Sequence, residues 1–353
     1  MMQPSRLNSG PDRSAALPNI QVELVADSKM ARLQATARLL NLPTEHPGIS
    51  SFISCADAEG IDLSNIWTVA GEPAGPVCLA VLGAGRTAML FVSGAEPPIC
   101  QGRQPEYVPL VGGDDQRSMA MRASLLRQVL HELSTTKPPT AGEQTPTLAQ
   151  ALVENDQIAL RQSYMQAGFS VLAELGYFRR ELPRRRSAEM HQWPAGVRLV
   201  SLAELPPRQG DDLLWETLEA SYVDTLDCPG LSGVRTRSDV LEAHRSVGEY
   251  DPAWWFVLLK NERPVGCLLL SKCEAQQSIE LVYIGIAKAA RGLGFARGLL
   301  DFGIAFVAGR GYRSLACAVD LGNVPAVKLY TSHKFRQFAS RTALICPLTS
   351  PPT

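Results

Sequence analysis

From residue 197 onward, short apolar runs of strand length alternate with stretches whose apolar positions recur every three or four residues. Residues 197–202, 254–260, 265–271, 279–286, 314–319 and 339–345 predict strands, and 211–222, 238–247, 295–308 and 323–332 predict helices. Asn261-Glu-Arg-Pro264 predicts the turn of a hairpin between the second and third strands. Strands and helices in this order imply an α/β chain with a mixed sheet. The clearest boundary lies at residues 183–196, where Pro183-Arg-Arg-Arg186 leads into a polar stretch suited to a linker. Residues 1–19 are rich in Pro, Ser, Gly and Arg and lack an apolar signal core, which predicts a disordered tail.

Length and composition narrow the class. A chain of 353 residues exceeds one ordinary domain, so two are expected. Hydrophobic content of 45% with 20% charged residues supports an ample core. A net charge of −1 gives no general reason to expect nucleic acid or an anionic membrane as partner. No uncharged apolar run approaches the length that spans a bilayer. The eight cysteines include no Cys-x-x-Cys pair, and Cys78, Cys267 and Cys317 sit in apolar strand-like runs. The expectation is a reduced, cytoplasmic protein without a metal.

The candidate chemistry centres on Arg291-Gly-Leu-Gly-Phe-Ala-Arg-Gly-Leu-Leu300, between a strand-like run and a helix-like run. A glycine-rich turn at that junction aims backbone N–H groups at one spot, at the positive end of the helix dipole, and so attracts phosphate. Gly292, Gly294 and Gly298 do not have the spacing of a dinucleotide fingerprint, and no Walker loop occurs.

The pattern Arg291-x-x-Gly294-x-Ala296 instead resembles the pyrophosphate loop of the GNAT superfamily of acyl-CoA N-acyltransferases. Asn323-Val-Pro-Ala326-Val-Lys-Leu329-Tyr330, followed by Phe335, is similar to that family's Asn-x-x-Ala-x-x-Leu-Tyr segment. The resemblance covers roughly residues 197–350 and implies acetyl-CoA as co-substrate, with no metal. It implies contacts to phosphates from Arg291, Gly292, Leu293, Gly294, Phe295, Ala296 and Arg297. It also implies main-chain pairing of pantetheine with Ile284, Gly285 and Ile286, on a strand that splays from its neighbour, and a further bond from Asn323. Asn323 also suits a helix cap. Lys334 stands where the family usually has glycine, which puts the local turn in doubt.

An alkylamine with a pKa near ~10.4 is mostly protonated at pH 7, and reaching its neutral form costs roughly 4.6 kcal/mol. A proton acceptor is therefore needed. Glu280, within an apolar run and at the family's usual place for a catalytic glutamate, is the candidate base. Tyr330 is the candidate acid for the leaving thiolate. His244 and His333 are better read as structural residues. Asp211, Asp212, Glu216, Glu219, Asp224 and Asp227 form an acidic stretch without Lys or Arg. If it borders the acceptor, with Asp224 and Asp227 nearest, it favours a small cationic amine.

The first half echoes the second. Residues 117–126 overlay residues 291–300 without a gap, and Tyr164-Met-Gln-Ala-Gly-Phe169 overlays Tyr330-Thr-Ser-His-Lys-Phe335. Ser118, Ala120 and Arg122 replace Gly292, Gly294 and Ala296, so the first copy is expected to keep the fold and lose the cofactor. The expected organisation is two tandem GNAT-like α/β domains, each with a mixed, mostly antiparallel sheet. The tail at 1–19 precedes a degenerate domain at 20–182, a linker at 183–196 and a catalytic domain at 197–353. This arrangement also resembles that of the mycothiol synthases. The expected activity is transfer of an acetyl group to a small primary amine within a ternary complex. The alternative from another class is a CoA-binding sensor or scaffold without catalysis.

Overall fold

The computed structural model describes residues 17–98, 105–109, 115–135, 145–183 and 191–348. The first half runs β1 (Val22–Leu24), α1 (Lys29–Leu40), α2 (Pro47–Ala58), β2 (Ile66–Val69), β3 (Val77–Gly83), β4 (Thr87–Val92), α3 (Gln116–Thr135), β5 (Leu148–Glu154), α4 (Ile158–Ala167) and β6 (Ser170–Glu181). The second runs β7 (Val197–Ser201), α5 (Pro207–Tyr222), α6 (Arg237–Arg245), β8 (Trp255–Lys260), β9 (Arg263–Cys273), β10 (Ser278–Ile286), α7 (Phe295–Val307), β11 (Ser314–Asp320), α8 (Val324–Ser332) and β12 (Arg336–Pro347). Apart from short 3-10 turns, both halves follow one order, β-α-α-β-β-β-α-β-α-β.

Among the described residues, all twelve strands join one sheet, in the order β1-β2-β3-β4-β5-β12-β6-β11-β10-β9-β8-β7. Neighbours are antiparallel except β4–β5 and β10–β11, which are parallel at equivalent places in the two halves. The two last strands are exchanged. β6 lies against β11 of the second half, and β12 lies against β5 of the first. The cores follow the exchange: Phe178 of β6 is buried in the second half's core, and Leu344 of β12 in the first's. The two halves expected from sequence are present as repeated topology, but the sheet does not divide at residues 183–196.

The linker expected there also differs where it is described. Trp193 packs on the second half's core, edge-on to His191 at 4.5 Å, and the Gly196 carbonyl accepts from Asn261 N–H. Residues 1–16 of the expected tail lie outside the described residues, while the Pro18 carbonyl accepts a hydrogen bond from Ser124 Oγ. Further contacts lock the halves together. Arg86, at the tip of the β3–β4 hairpin, forms a bidentate pair with Asp239 of α6 (2.8 and 2.7 Å). Glu96 and Arg341 form a second bidentate pair.

Local sequence accounts for several details. The β8–β9 turn is tighter than expected: Asn261 and Glu262, at φ 49° and 62°, make a two-residue connection. Pro264 falls inside β9, beside a register shift. Trp254 closes a 3-10 turn, Trp255 opens β8, and both are buried. Lys334 takes φ 65°, so the turn after α8 keeps its left-handed form without glycine. The matching turn after α4 has Gly168, at φ 115°.

Candidate active site

β10 and β11 pair at Ser278–Ser314, Ile279–Leu315 and Glu280–Ala316, and then part. On its other side β10 stays paired with β9 to Ile286, with a register shift between Leu281 and Tyr283. An extra residue in one strand bends it and sharpens its twist, which turns β10 away from β11. A cavity of about 640 Å³ opens in the gap. Its walls include Ile284, Gly285, Ile286, Ala318, Asn323 and Tyr330, and its mouth includes Gly292, Gly294 and Ala296. The main chain of Ile284 to Ile286 therefore faces the cavity on the side not used by β9.

Gly292 and Gly294 take φ 78° and 82°, a left-handed conformation that side chains disfavour. A Cβ at either would meet nothing within 4 Å, so the lack of a side chain leaves open space over the backbone. Gly294 is the N-cap of α7 and carries no side-chain cap, so the N–H groups of the first turn remain for an anion. These features fit the pyrophosphate and pantetheine of an acyl-CoA. Gly285 has a separate reason to be glycine. A Cβ there would come within 2.8 Å of Ser221 Oγ on α5 and 2.5 Å of the Tyr283 ring.

Arg291 also has a structural role that the sequence did not suggest. Its guanidinium donates to the carbonyls of Ser221 (2.8 Å), Val223 (2.8 Å), Asp224 (3.0 Å) and Ile286 (3.3 Å). Four carbonyls satisfy its fork, so it ties the end of α5 to the loop while its charge stays at the cavity it lines. Arg297 is exposed near the mouth, and Leu293 is exposed outside the cavity wall.

Glu280 sits where the two strands part, half-buried, and burial pushes its carboxyl up to about 7. Tyr330, 4% exposed, lines the cavity, and burial holds its hydroxyl well above the ordinary phenol range. Among the described residues no protein group bonds that hydroxyl. Asn323 caps α8 through a bond from Ala326 N–H (3.3 Å). His244, half-buried against Tyr283 and bonded to Tyr222, is pushed down to about 4 by desolvation and stays neutral. His333 bridges Asp301 (3.0 Å) and the Leu329 carbonyl (2.7 Å), holding α8 to α7. Both histidines are structural in this geometry.

The acidic stretch does not form a lip. Asp211 pairs with Arg245, Asp212 with Arg237, and Asp224 with Lys288. Its partners come from α6 and the turn before the loop, which adjacency in sequence could not show. Asp227 alone of the group lines the cavity, and burial raises its carboxyl pKa. Sequence reasoning missed Asp320, which accepts from Cys228 and Gly322 N–H groups and so fixes the segment bearing Asp227. An acid at a strand end carries no signal of that role.

In the first half the equivalent strand gap is filled, and a smaller cavity of about 340 Å³ lies at the start of α3, beside Gly94, Ser118 and Arg122. β4 pairs with β5 at only Thr87–Leu148, Ala88–Ala149 and Met89–Gln150, so the strands part there too, but β4 has no register shift against β3. Tyr164 Oη donates to the Leu90 carbonyl (2.9 Å) and accepts from Val92 N–H (3.2 Å). Gln157, at the place of Asn323, donates to the Gly94 carbonyl (3.1 Å). These are the main-chain groups an added strand would use. α3 is already helical at Ser118 and Ala120, and Asp115 Oδ1 accepts from Ser118 N–H. Met89 stands at the place of Glu280.

Among the described residues no group of His, Cys, Asp and Glu is arranged to hold a metal ion, and no helix is long and apolar enough to cross a membrane. Residues 216–335 match the acetyltransferase (GNAT) family. That stretch of the second half is thus similar to an acetyltransferase family. A GCN5-related N-acetyltransferase from Sphaerobacter thermophilus is similar in structure, at 16% identity and TM-score 0.54, over 94% of this chain and 97% of that one. A tandem GNAT protein from the clavulanic acid biosynthesis pathway, described as without AcCoA, aligns at 13% identity and TM-score 0.47 over 95% and 100%. The first comparison supports the fold across both halves. No curated protein matches the chain.

Proposed function

We propose that the chain is an N-acetyltransferase that moves an acetyl group from acetyl-CoA to a small primary amine by direct transfer. The observation that carries this reading is a cavity lined by Tyr330 and by β10 from Leu281, the residue after Glu280, whose mouth is an uncapped, glycine-lined helix N-terminus. Gly292 to Ala296 would hold the phosphates, and the backbone of Ile284 to Ile286 would pair with the pantetheine amides as an added strand does. The bound thioester supplies an activated acyl group. Glu280, with a carboxyl near 7, accepts the proton that the amine nitrogen sheds as it bonds to the acyl carbon. As the carbon–sulfur bond breaks, Tyr330 donates a hydrogen bond to the departing sulfur. A thiol titrates near ~8.5, and the Tyr330 hydroxyl lies well above 10, so hydrogen bonding is favoured over complete proton transfer.

Domain roles follow the same reading: residues 197–353 carry catalysis, and residues 20–182 form a silent copy. Calorimetry with acetyl-CoA should find one site per chain, and free thiol should appear when a panel of small amines is added. Tight acetyl-CoA binding without turnover of any amine would favour a CoA sensor instead.

A further inference from the structure

The register of the sheet lines up four residues across the active half. Glu280 on β10 pairs with Ala316 on β11, Ala316 with Arg179 on β6, and Arg179 with Arg336 on β12. Directly paired residues project to the same face of a sheet, so these four side chains share one row. The electrostatic influence of Glu280 on Tyr177, two residues from Arg179 on the same face, agrees with this placement. Ala316 contributes only a methyl group, leaving the row open between the glutamate and the first arginine. The adjacent Ala318, which pairs with Tyr177, lines the acyl-CoA cavity, so the row runs beside its inner end.

The two arginines are anomalous. Like charges directly opposite each other in a sheet destabilise it. Arg180 and Arg341, on the same two strands, have partners in the His333 carbonyl and Glu96. Arg179 and Arg336 are both exposed, and among the described residues neither reaches a carboxylate. Arg179 lies over the Phe338 ring at 5.0 Å, and that ring is 56% exposed, so the platform faces solvent.

The repeat provides an internal control. The equivalent row of the silent half is Met89, Gln150, Ile345 and Ser170, read from the same strand pairings. It has neither the acid nor the arginines. The charges therefore occur together, in the half that keeps its cavity.

We propose that the acceptor of the reaction carries a carboxylate as well as its amine, with the amine at Glu280 and the carboxylate held by Arg179 and Arg336. This rests on the acetyltransferase reading above. At the usual strand spacing, Glu280 and Arg179 are roughly 10 Å apart at Cα. A molecule with a few carbons between its two ends fits between the carboxylate of one and the fork of the other. The row thus assigns specificity to β6, a strand of the half that has lost its own cofactor site.

The test uses a matched pair, 4-aminobutyrate and n-butylamine, with 2-aminoethyl phosphate as a third acceptor. Initial rates of thiol release from acetyl-CoA give kcat/KM for each. The carboxylate-bearing amine should be preferred by about tenfold or more, as expected for charge-assisted hydrogen bonds. In the Arg179→Gln, Arg336→Gln double variant the preference should collapse toward unity, with acetyl-CoA affinity by calorimetry as in the wild type. Equal kcat/KM for the pair, or a preference that survives in the double variant, overturns the inference while leaving the acetyltransferase reading intact. A preference for the phosphate overturns the carboxylate assignment. If acetyl-CoA binds but no amine is acetylated, the acetyltransferase reading fails. Calorimetric titration of 4-aminobutyrate into the CoA-saturated protein then decides the row separately: binding that the double variant loses supports it, and no binding overturns it.

Discussion

Tyr330 and Tyr164 occupy equivalent places at the end of equivalent helices, and both are buried. The first lines an open cavity, and among the described residues its hydroxyl has no protein partner. The second spends its hydroxyl on the two backbone groups of β4 that the open strand would otherwise present. Asn323 and Gln157 differ in the same sense. The shorter amide turns back to cap its own helix, and the longer one reaches across to the Gly94 carbonyl. A fold can therefore occupy the main-chain groups of a strand gap with its own side chains while every strand stays in place. The residue type at a position does not fix its role; the groups opposite it do.

The contrast can be broken most severely at Glu280, which has Met89 as its counterpart. Glu280→Gln should lower kcat/KM by about 10²–10⁴-fold and leave the acetyl-CoA dissociation constant unchanged. In the wild type, log kcat/KM should rise with pH to a bend at about 7, where the carboxyl deprotonates, and the variant should lack the bend. The same shift affects stability. The unfolded chain releases this proton near 4.5, and the fold holds it to about 7, so stability falls as pH rises through that window. The variant should show a smaller decline in Tm between pH 5 and pH 8 than the wild type.

A smaller effect is expected at the loop. Gly294→Val forces a β-branched residue into a left-handed conformation over the helix N-terminus and should weaken acetyl-CoA binding by about 10–100-fold. Unchanged affinity would mean that phosphates bind elsewhere. In the first half, Tyr164→Phe removes two buried hydrogen bonds and should destabilise the chain by about 1–3 kcal/mol in urea unfolding. It should still bind one acetyl-CoA, and a second site of similar strength would show that Tyr164 alone closes the first. The smallest effect is at Lys334, which holds φ 65° where the other half has Gly168. Lys334→Gly should gain up to about 1 kcal/mol of stability, read as a modest rise in Tm.

Much of this was legible because it is local. Glycine spacing after an apolar run marks the loop, Asn323 marks a helix start, and the overlay of Tyr164 on Tyr330 marks the repeat. Met89 escaped notice because an apolar residue in an apolar strand carries no signal. The commitments of Arg291, and the pairing of Asp211, Asp212 and Asp224 with Arg and Lys, depend on elements brought together from separate stretches. The exchange of β6 and β12 was hidden for a different reason. Each strand carries a pattern suited to either position, so hydrophobic periodicity does not choose between them. The arginine row depends on that exchange, since Arg179 reaches the Glu280 row only from the borrowed position.

The exchange bears on why a half with its strand gap occupied by its own side chains would persist at all. A duplicated domain that folds alone can be discarded by a single truncation once its activity is gone. Here such a deletion would remove β6 and bare the edge of β11, exposing unpaired backbone groups beside the active cavity. Unless β12 swung back into the vacated place, the remnant would be prone to sticking to other chains. On the reading proposed above, a half without chemistry has become indispensable architecture. Selection can alter its former pocket freely, but must preserve its last strand.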